Sequence, residues 1–437
     1  MKKHILLLAG KWFLEGGTER GPSSDGLAVG RIFSSDLSFE DPRGTRIEAE
    51  PGRKKSRHGM IRQVTARRLI TDTGELAYPV VSMEDGKIVS VEAGPENGST
   101  DTLTAAFLEI HVHGARSFDF MAADQDGIAE AGRFLATHGV AHYLPTTVTA
   151  PLDLTLKALE RLADAIERPH SHASGVPVAT PVGIHLEGPF VSHGKRGVHP
   201  AASLQEPSVE LFDRLQTAAR GHIRLITMAP ELPHALERIE HVTAKGVRVS
   251  MGHSMATEAE TLAGIAAGAS SSTHLFNAMR PLDHREPGIA GTILDRDDIY
   301  AEAICDGVHV HPAVIRLWLK IKGEERGILV TDGISATGMP DGRYTLGDLD
   351  VVVKDGVCLS GETLAGSVLT MDRAVANVQR FTGTSLGTAV RLASRNPARM
   401  MGMAHLTQMA PGAAANFNRF DAEGRRIGGM IEGRQVE

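Results

Sequence analysis

Four histidines and two carboxylates of this chain stand where short apolar runs end: His111 and His113, Glu187, His253, His274 and Asp332, with Asp306 closing a further run. In His111-Val112-His113 both imidazoles share a side, because alternate residues of a strand share a face. Such a pair can grip one ion from two directions, although alone it reads equally as two satisfied structural histidines. Glu187, followed by the turn Gly188-Pro189, can ligate or bridge metals; alone, it reads as a buried carboxylate paired with an arginine. His253 and His274 each add one imidazole, and each alone could be a core histidine. Taken together, the set is rich in N and O donors and suits Zn²⁺ or another first-row divalent ion. Asp332, in LVTDG, can take a proton from an attacking water and pass it to a departing amine. Its ordinary alternative is a turn-forming Asp before Gly333.

Positioning such a set requires elements whose ends converge. From Phe107 onward eight apolar runs alternate with helical stretches: FLEIHVH, GVAHYLPT, VGIHLE, IRLITMAP, VRVSMGHS, ASSSTHL, IYAEAICDG and GILVTD. Alternation of this kind predicts an α/β protein with a parallel sheet. Eight units predict a (β/α)8 TIM-type barrel, in which strand ends meet on the active-site face. The expected barrel spans residues 105–397. A small β-sandwich domain is expected from both chain ends, residues 60–104 and 398–437. The first piece alternates apolar and polar residues around Glu84-Asp85-Gly86, as a hairpin does, and the tail turns at Asp421-Ala422-Glu423-Gly424. Residues 1–59 are rich in Gly, Ser and charge without periodicity, so a disordered leader is expected there, with Met60 a candidate start.

Composition narrows the partners. The 437 residues are 42% hydrophobic, enough for one large core and a smaller appended one. A net charge of -7, without long blocks of one sign, argues against nucleic acid or an anionic membrane as partner. The two cysteines, Cys305 and Cys358, are too few for a disulfide framework and have no metal-binding spacing. ILLLAG is about half a signal-peptide core, and no run approaches ~18 apolar residues. A cytoplasmic protein is expected.

HLEGPF, GKRGVHP, MGHSMAT, THLFNAM, REPGIAG, DGVHVHP, LVTDGISATGMPDGRYTLG and LAGSVLTM resemble, in order and spacing, the N-acetylglucosamine-6-phosphate deacetylases of the amidohydrolase superfamily. The resemblance covers residues 105–400 and is weaker in both flanks. It implies that Glu187, His253 and His274 bind the principal metal, that Asp332 is the catalytic acid and base, and that His199 polarises the acetyl carbonyl. It further implies a phosphate-binding set of Asn277, the Ala278 backbone, Arg285 and His309, the last two reaching in from the neighbouring subunit of a homodimer. Members that keep the HxH pair can hold two ions, and His111 and His113 place this chain with them. The ion expected is Zn²⁺, with Fe, Co, Mn or Ni as other possibilities. Two departures stand out: Ala105-Ala106-Phe107-Leu108-Glu109 replaces the usual Pro-Gly-Phe-Ile-Asp, and Gly412-Ala413-Ala414-Ala415-Asn416 replaces a Gly-x-Asp-Ala-Asp pattern.

The activity implied is hydrolysis of the acetamide of N-acetylglucosamine 6-phosphate to acetate and glucosamine 6-phosphate. A deacetylase for another N-acetylhexosamine phosphate, such as the galactosamine epimer, would keep every residue named. A cyclic amidase is disfavoured, because such enzymes often carry a carbamylated lysine and no Lys ends a strand here. A non-catalytic binding protein on the same fold predicts eroded ligands, whereas the set is complete.

Overall fold

The computed structural model describes residues 61–168 and 175–437, together with the backbone of four short strands nearer the N-terminus. Those strands form two separate antiparallel pairs, Ile5–Leu8 with Lys11–Leu14 and Ser38–Glu40 with Arg46–Glu48. The rest of the expected leader lies outside the described residues.

Eight strands make one parallel sheet in chain order: β1 (Phe107–Val112), β2 (Val140–Thr147), β3 (Ile184–Glu187), β4 (Ile223–Met228), β5 (Arg248–Met251), β6 (Ser271–Ser272), β7 (Tyr300–Ile304) and β8 (Gly327–Val330). Each falls on one of the eight apolar runs, β2 extending one residue past its own. β1 and β8 are buried at every position, as parallel strands covered on both faces must be. The sheet closes on itself just beyond β8, where the Asp332 amide donates to the His111 carbonyl at 2.9 Å and the His113 amide donates to Gly333 at 2.7 Å. The (β/α)8 barrel is therefore sealed by the same backbone that carries three of the expected site residues.

Helices α1 (Gln125–Thr137), α2 (Leu152–Glu167), α3 (Val209–Ala218), α4 (Ala235–Ala244), α5 (Glu258–Ala266), α6 (Gly288–Asp295), α7 (Pro312–Arg326) and α8 (Met371–Thr382) follow the strands in turn. Side-chain caps fix where several begin. Asp124 accepts from the Gly127 amide at α1, Ser208 from Leu211 at α3, and Thr257 with Glu260 forms a capping box at α5. Each such cap contributes about 1 kcal/mol and sets the length of the loop that bears a site residue. Among the described residues no helix is long and apolar enough to cross a membrane.

Both chain ends build a six-stranded sheet, in the order Arg434–Val436, Arg426–Ile431, Phe417–Phe420, Thr102–Ala105, Arg68–Ile70 and Glu75–Ala77. Beside it lies a three-stranded sheet of Arg62–Thr65, Pro79–Glu84 and Lys87–Ala93. The hairpin at Asp85-Gly86 forms as its sequence indicates, with left-handed φ of 48° and 78°. Leu69, Val81, Ile88, Leu103 and Phe417 share the core between these sheets. Barrel packing continues past residue 397, because Ala398 and Met400 of the helix Arg395–Met400 lie in the main core.

One element has no counterpart in the sequence reading. Between β8 and α8, Gly342–Leu346, Leu349–Lys354, Val357–Ser360 and Thr363–Leu364 form a four-stranded antiparallel sheet. Its Leu346, Val351 and Val353 pack on Met121, Val148 and Ile334, from loops at the C-terminal ends of β1, β2 and β8. The Gly347 amide donates to Asp119 at 2.6 Å, tying the sheet to the β1–α1 loop.

Candidate active site

The strand ends deliver the expected residues to one place. β1 carries His111 and its end carries His113; β3 ends in Glu187; His253, His274 and Asp332 follow β5, β6 and β8, and all six are at most 8% exposed. His253, His274 and Asp332 adopt left-handed φ of 48°, 25° and 52°. A non-glycine residue held there costs about 1–3 kcal/mol, and such strain concentrates where a side chain must be aimed against backbone preference. Gly188 serves the same turn by having no side chain: its φ is 79°, and a Cβ would lie 2.2 Å from Thr149 Oγ1.

Glu187 occupies the centre. Its Oε1 is 3.2 Å from His253 Nε2 and 3.1 Å from His274 Nε2, while its Oε2 is 3.3 Å from His113 Nε2. His111 Nε2 lies 3.5 Å from both Glu187 Oε1 and Asp332 Oδ1. His113 Nε2 lies 3.1 Å from Asp332 Oδ1. A carboxylate so placed touches imidazoles at both ends of the cluster, as a bridging ligand must.

The outer ring nitrogens show which imidazoles are prepared as ligands. His113 Nδ1 faces the Thr146 carbonyl at 3.2 Å, His253 Nδ1 faces the Lys195 carbonyl at 3.0 Å, and His111 Nδ1 faces Glu302 at 3.3 Å. A carbonyl or carboxylate only accepts, so each Nδ1 donates outward and each Nε2 is the nitrogen turned inward to the carboxylates, the one an incoming cation would take in place of its proton. His111 Nε2 is buried without a hydrogen-bond partner among the described residues, and His253 and His274 Nε2 approach to 3.2 Å. Imidazole nitrogens so turned beside two carboxylates suit one or two divalent cations.

His199 is different. Its Nδ1 accepts from the Thr149 amide at 3.4 Å and pairs with Thr149 Oγ1 at 2.7 Å, so the proton sits on Nε2 and points into the site. Although His199, Glu187 and His253 lie close enough together to grip an ion, this tautomer makes His199 a donor. Burial, with the nearby His253, pushes its pKa down to about 3, so it donates as a neutral ring.

Burial disfavours every charge here, and the carboxylates and imidazoles offset it mutually. Burial alone would raise Asp332, yet the His113 hydrogen bond and the fields of His111 and His113 hold it well below the usual carboxylate range. Burial alone would lower His113, but Asp332 and Glu187 hold it up at about 9. Asp332 is thus an ionised acceptor at neutral pH.

The residues assigned to phosphate are less gathered. Asn277 Nδ2 donates to the His274 carbonyl at 3.2 Å, and Ala278 adopts a left-handed φ of 48°. His309, half-buried, sits 2.7 Å from Asp306 and feels the charge of Asp332 in its own chain. Arg285 lies on an exposed loop. The His309 position therefore belongs to this chain's own barrel mouth, whereas Arg285 is turned outward.

Two supports, Glu302 and Thr149, escaped the sequence reading, and a third, Glu109, stood there only as a departure from the family pattern. Glu302 is a fully buried carboxylate inside the apolar strand YAEAI, and that misfit of type and setting was its available signal. Thr149 orients His199, a role no local motif announces. Glu109, the longer acid before the HxH pair, accepts from the His111 amide at 3.0 Å and the Thr331 amide at 3.1 Å, clasping β1 to β8. Burial pushes its pKa up to about 7.

A closed (β/α)8 barrel whose mouth holds inward imidazoles, a central carboxylate and an ionised acceptor defines a metal-dependent hydrolase. A model of the amidohydrolase family matches residues 102–436. The N-acetylgalactosamine-6-phosphate deacetylase of Escherichia coli O157:H7 is 37% identical over 368 residues, covering 83% of this chain and 96% of that one. The N-acetylglucosamine-6-phosphate deacetylase of Lysinibacillus sphaericus is 34% identical, covering 82% and 92%. The solved structure of a variant N-acetyl-D-glucosamine-6-phosphate deacetylase from Mycobacterium smegmatis, in complex with N-acetyl-D-glucosamine-6-phosphate, is similar with a TM-score of 0.81 and 34% identity, covering 87% of this chain and all of that one. The chain belongs to the amidohydrolase family and, within it, to the N-acetylglucosamine-6-phosphate deacetylases.

Proposed function

We propose that this protein hydrolyses the acetamide of N-acetylglucosamine 6-phosphate, releasing acetate and glucosamine 6-phosphate. The observation that carries the reading is the pattern of outer partners: His111, His113 and His253 give their Nδ1 protons to acceptors and turn Nε2 toward Glu187, while His199 accepts at Nδ1 and keeps its proton inward. One or two divalent ions held by Glu187, His253, His274, His111 and His113, zinc being our choice, would supply Lewis acidity to the amide carbonyl and acidify the attacking water.

The chain's own groups do the rest. Asp332 accepts a proton from the water as its oxygen bonds to the carbonyl carbon. His199 Nε2–H donates to the oxyanion that develops, a contact often worth ~3 kcal/mol. Asp332 then returns the proton to the nitrogen as the C–N bond breaks, leaving the amino sugar and acetate. Asn277, the Ala278 backbone, His309 and Arg285 hold the phosphate, fixing the amide against the site. The exposure of Arg285 supports our assignment of it to the neighbouring subunit's site in a homodimer. Two buried free thiols, Cys305 and Cys358, support a reducing, cytoplasmic setting.

A second reading, the N-acetylgalactosamine 6-phosphate epimer, is favoured by the 37% identity to the Escherichia coli relative. Acetate release from both 6-phosphates and from unphosphorylated N-acetylglucosamine separates the possibilities. Higher kcat/KM on the glucosamine epimer is expected; preference for the galactosamine epimer would reverse the assignment, and indifference to phosphate would refute the phosphate set.

A further inference from the structure

We propose that Glu302 is a positioning residue that commits His111 to metal binding, and so determines whether the chain holds an ion at the HxH end of the cluster. Glu302 rises from β7 inside the barrel and is fully buried. Its Oε2 is 3.3 Å from His111 Nδ1 and 3.1 Å from the His274 amide, while its Oε1 has no hydrogen-bond partner among the described residues. It meets His111 on the far side of the ring from Glu187, so it supports an imidazole and does not itself reach the cluster.

The consequence follows from imidazole chemistry. A neutral ring has one N–H, and His111 ligates through Nε2 only if Nδ1 keeps the proton. The His113 and His253 rings are fixed by backbone carbonyls, which no substitution removes. His111 alone relies on a side chain. Nothing else among the described residues holds its Nδ1: Glu187 and Asp332 face Nε2 at 3.5 Å and pull the proton toward the cluster, the His185 ring meets it edge-on at 4.6 Å, and Glu109 bonds only its backbone amide. A carboxylate on Nδ1 also makes Nε2 more basic, which strengthens a metal bond. By accepting from the His274 amide as well, Glu302 sets the spacing between the two ends.

This inference rests on the reading that ions bind around Glu187. Its test is zinc stoichiometry and chelator competition on purified zinc-loaded protein, comparing wild type, Glu302→Gln, Glu302→Ala, His111→Asn and the double variant Glu302→Gln/His111→Asn. Wild type is expected to hold two ions. Loss of the outer partner of a ligating histidine typically weakens an ion about 10- to 100-fold. Glu302→Ala should fall in that range for the weaker ion only, and Glu302→Gln, whose amide oxygen can still accept, should fall near the lower end. In the His111→Asn background Glu302→Gln should change nothing further. If Glu302→Ala fails to fold, the near-isosteric Glu302→Gln decides alone. Wild-type affinities in Glu302→Gln, equal weakening of both ions, or an undiminished effect in the His111→Asn background would each overturn the proposal. Binding of a single ion by wild type would also overturn it, whereas binding of none would refute the metal reading of the site itself.

Discussion

The amide of Asp332 donates to the carbonyl of His111 across 2.9 Å, while the Asp332 carboxylate lies 3.1 Å from His113 Nε2. The seam that closes the barrel and the contact that orders the proposed proton carrier are one piece of chain. Disturbing the fold at this seam therefore disturbs the chemistry, whereas side-chain changes that leave its backbone bonds intact can separate the roles.

His199 offers such a separation. If it is a neutral donor and not a ligand, His199→Gln should lower kcat about 10²- to 10³-fold, the range for removing one oxyanion donor. Ion content should remain at the wild-type value. Loss of an ion in this variant, measured by elemental analysis, would make His199 a ligand instead.

Removing both β1 imidazoles should remove one ion. His111→Asn/His113→Asn is expected to lose about one zinc per chain after reconstitution, leaving the ion held by Glu187, His253 and His274. An unchanged ratio would make the HxH pair structural.

Arg285→Ala should raise KM for the 6-phosphate at least ~10-fold, since a guanidinium fork matched to phosphate oxygens makes strong charge-assisted bonds. Ion content and activity on the unphosphorylated sugar should not move. An equal loss on both substrates would count against a phosphate role.

The pH dependence of substrate binding should follow His309. Burial pushes this imidazole down, but Asp306 and the field of Asp332 outweigh burial and hold it above the ordinary value of 6.5. A raised folded pKa means the cation is fully present below 6.5 and is lost as pH rises through the raised value, taking with it both the pair's stabilisation and its attraction for phosphate. KM for the 6-phosphate should therefore rise across that window in wild type and stay flat in His309→Gln. A wild-type KM flat across the same window would show that His309 does not hold phosphate.

The sequence made the barrel legible because each strand is a short, mostly buried run between amphipathic helices, and the expected metal ligands and Asp332 sit at run ends, whereas His199 and the phosphate set came only from the family resemblance. Even β6, only Ser271–Ser272, is findable from the run ASSSTHL. Glu302 was not, because its partner His111 is 191 positions away and only barrel closure brings them together. The left-handed turns at His253, His274 and Asp332 were hidden too, since even His and Asp, among the non-glycine types that enter that conformation most readily, do so at only a small minority of positions, and local pattern cannot announce strain imposed by packing. The antiparallel sheet after β8 was missed for another reason: GRYTLG stood out only as part of a motif, and LDVVVKDGVCLS after it, which alternates and turns at Asp355-Gly356 as a hairpin does, went unread as strands.

Asp332→Asn tests the chemistry most directly, since it nearly preserves shape and hydrogen-bond acceptance but cannot take a proton near neutral pH. Acetate release from N-acetylglucosamine 6-phosphate should be measured on wild type and variant with ion content determined in the same samples. The variant is expected to fold, keep the ion held by Glu187, His253 and His274, bind substrate with little change in KM, and turn over at least ~10²-fold more slowly. Retention of more than about a tenth of wild-type kcat with that ion in place would mean that another group moves the proton.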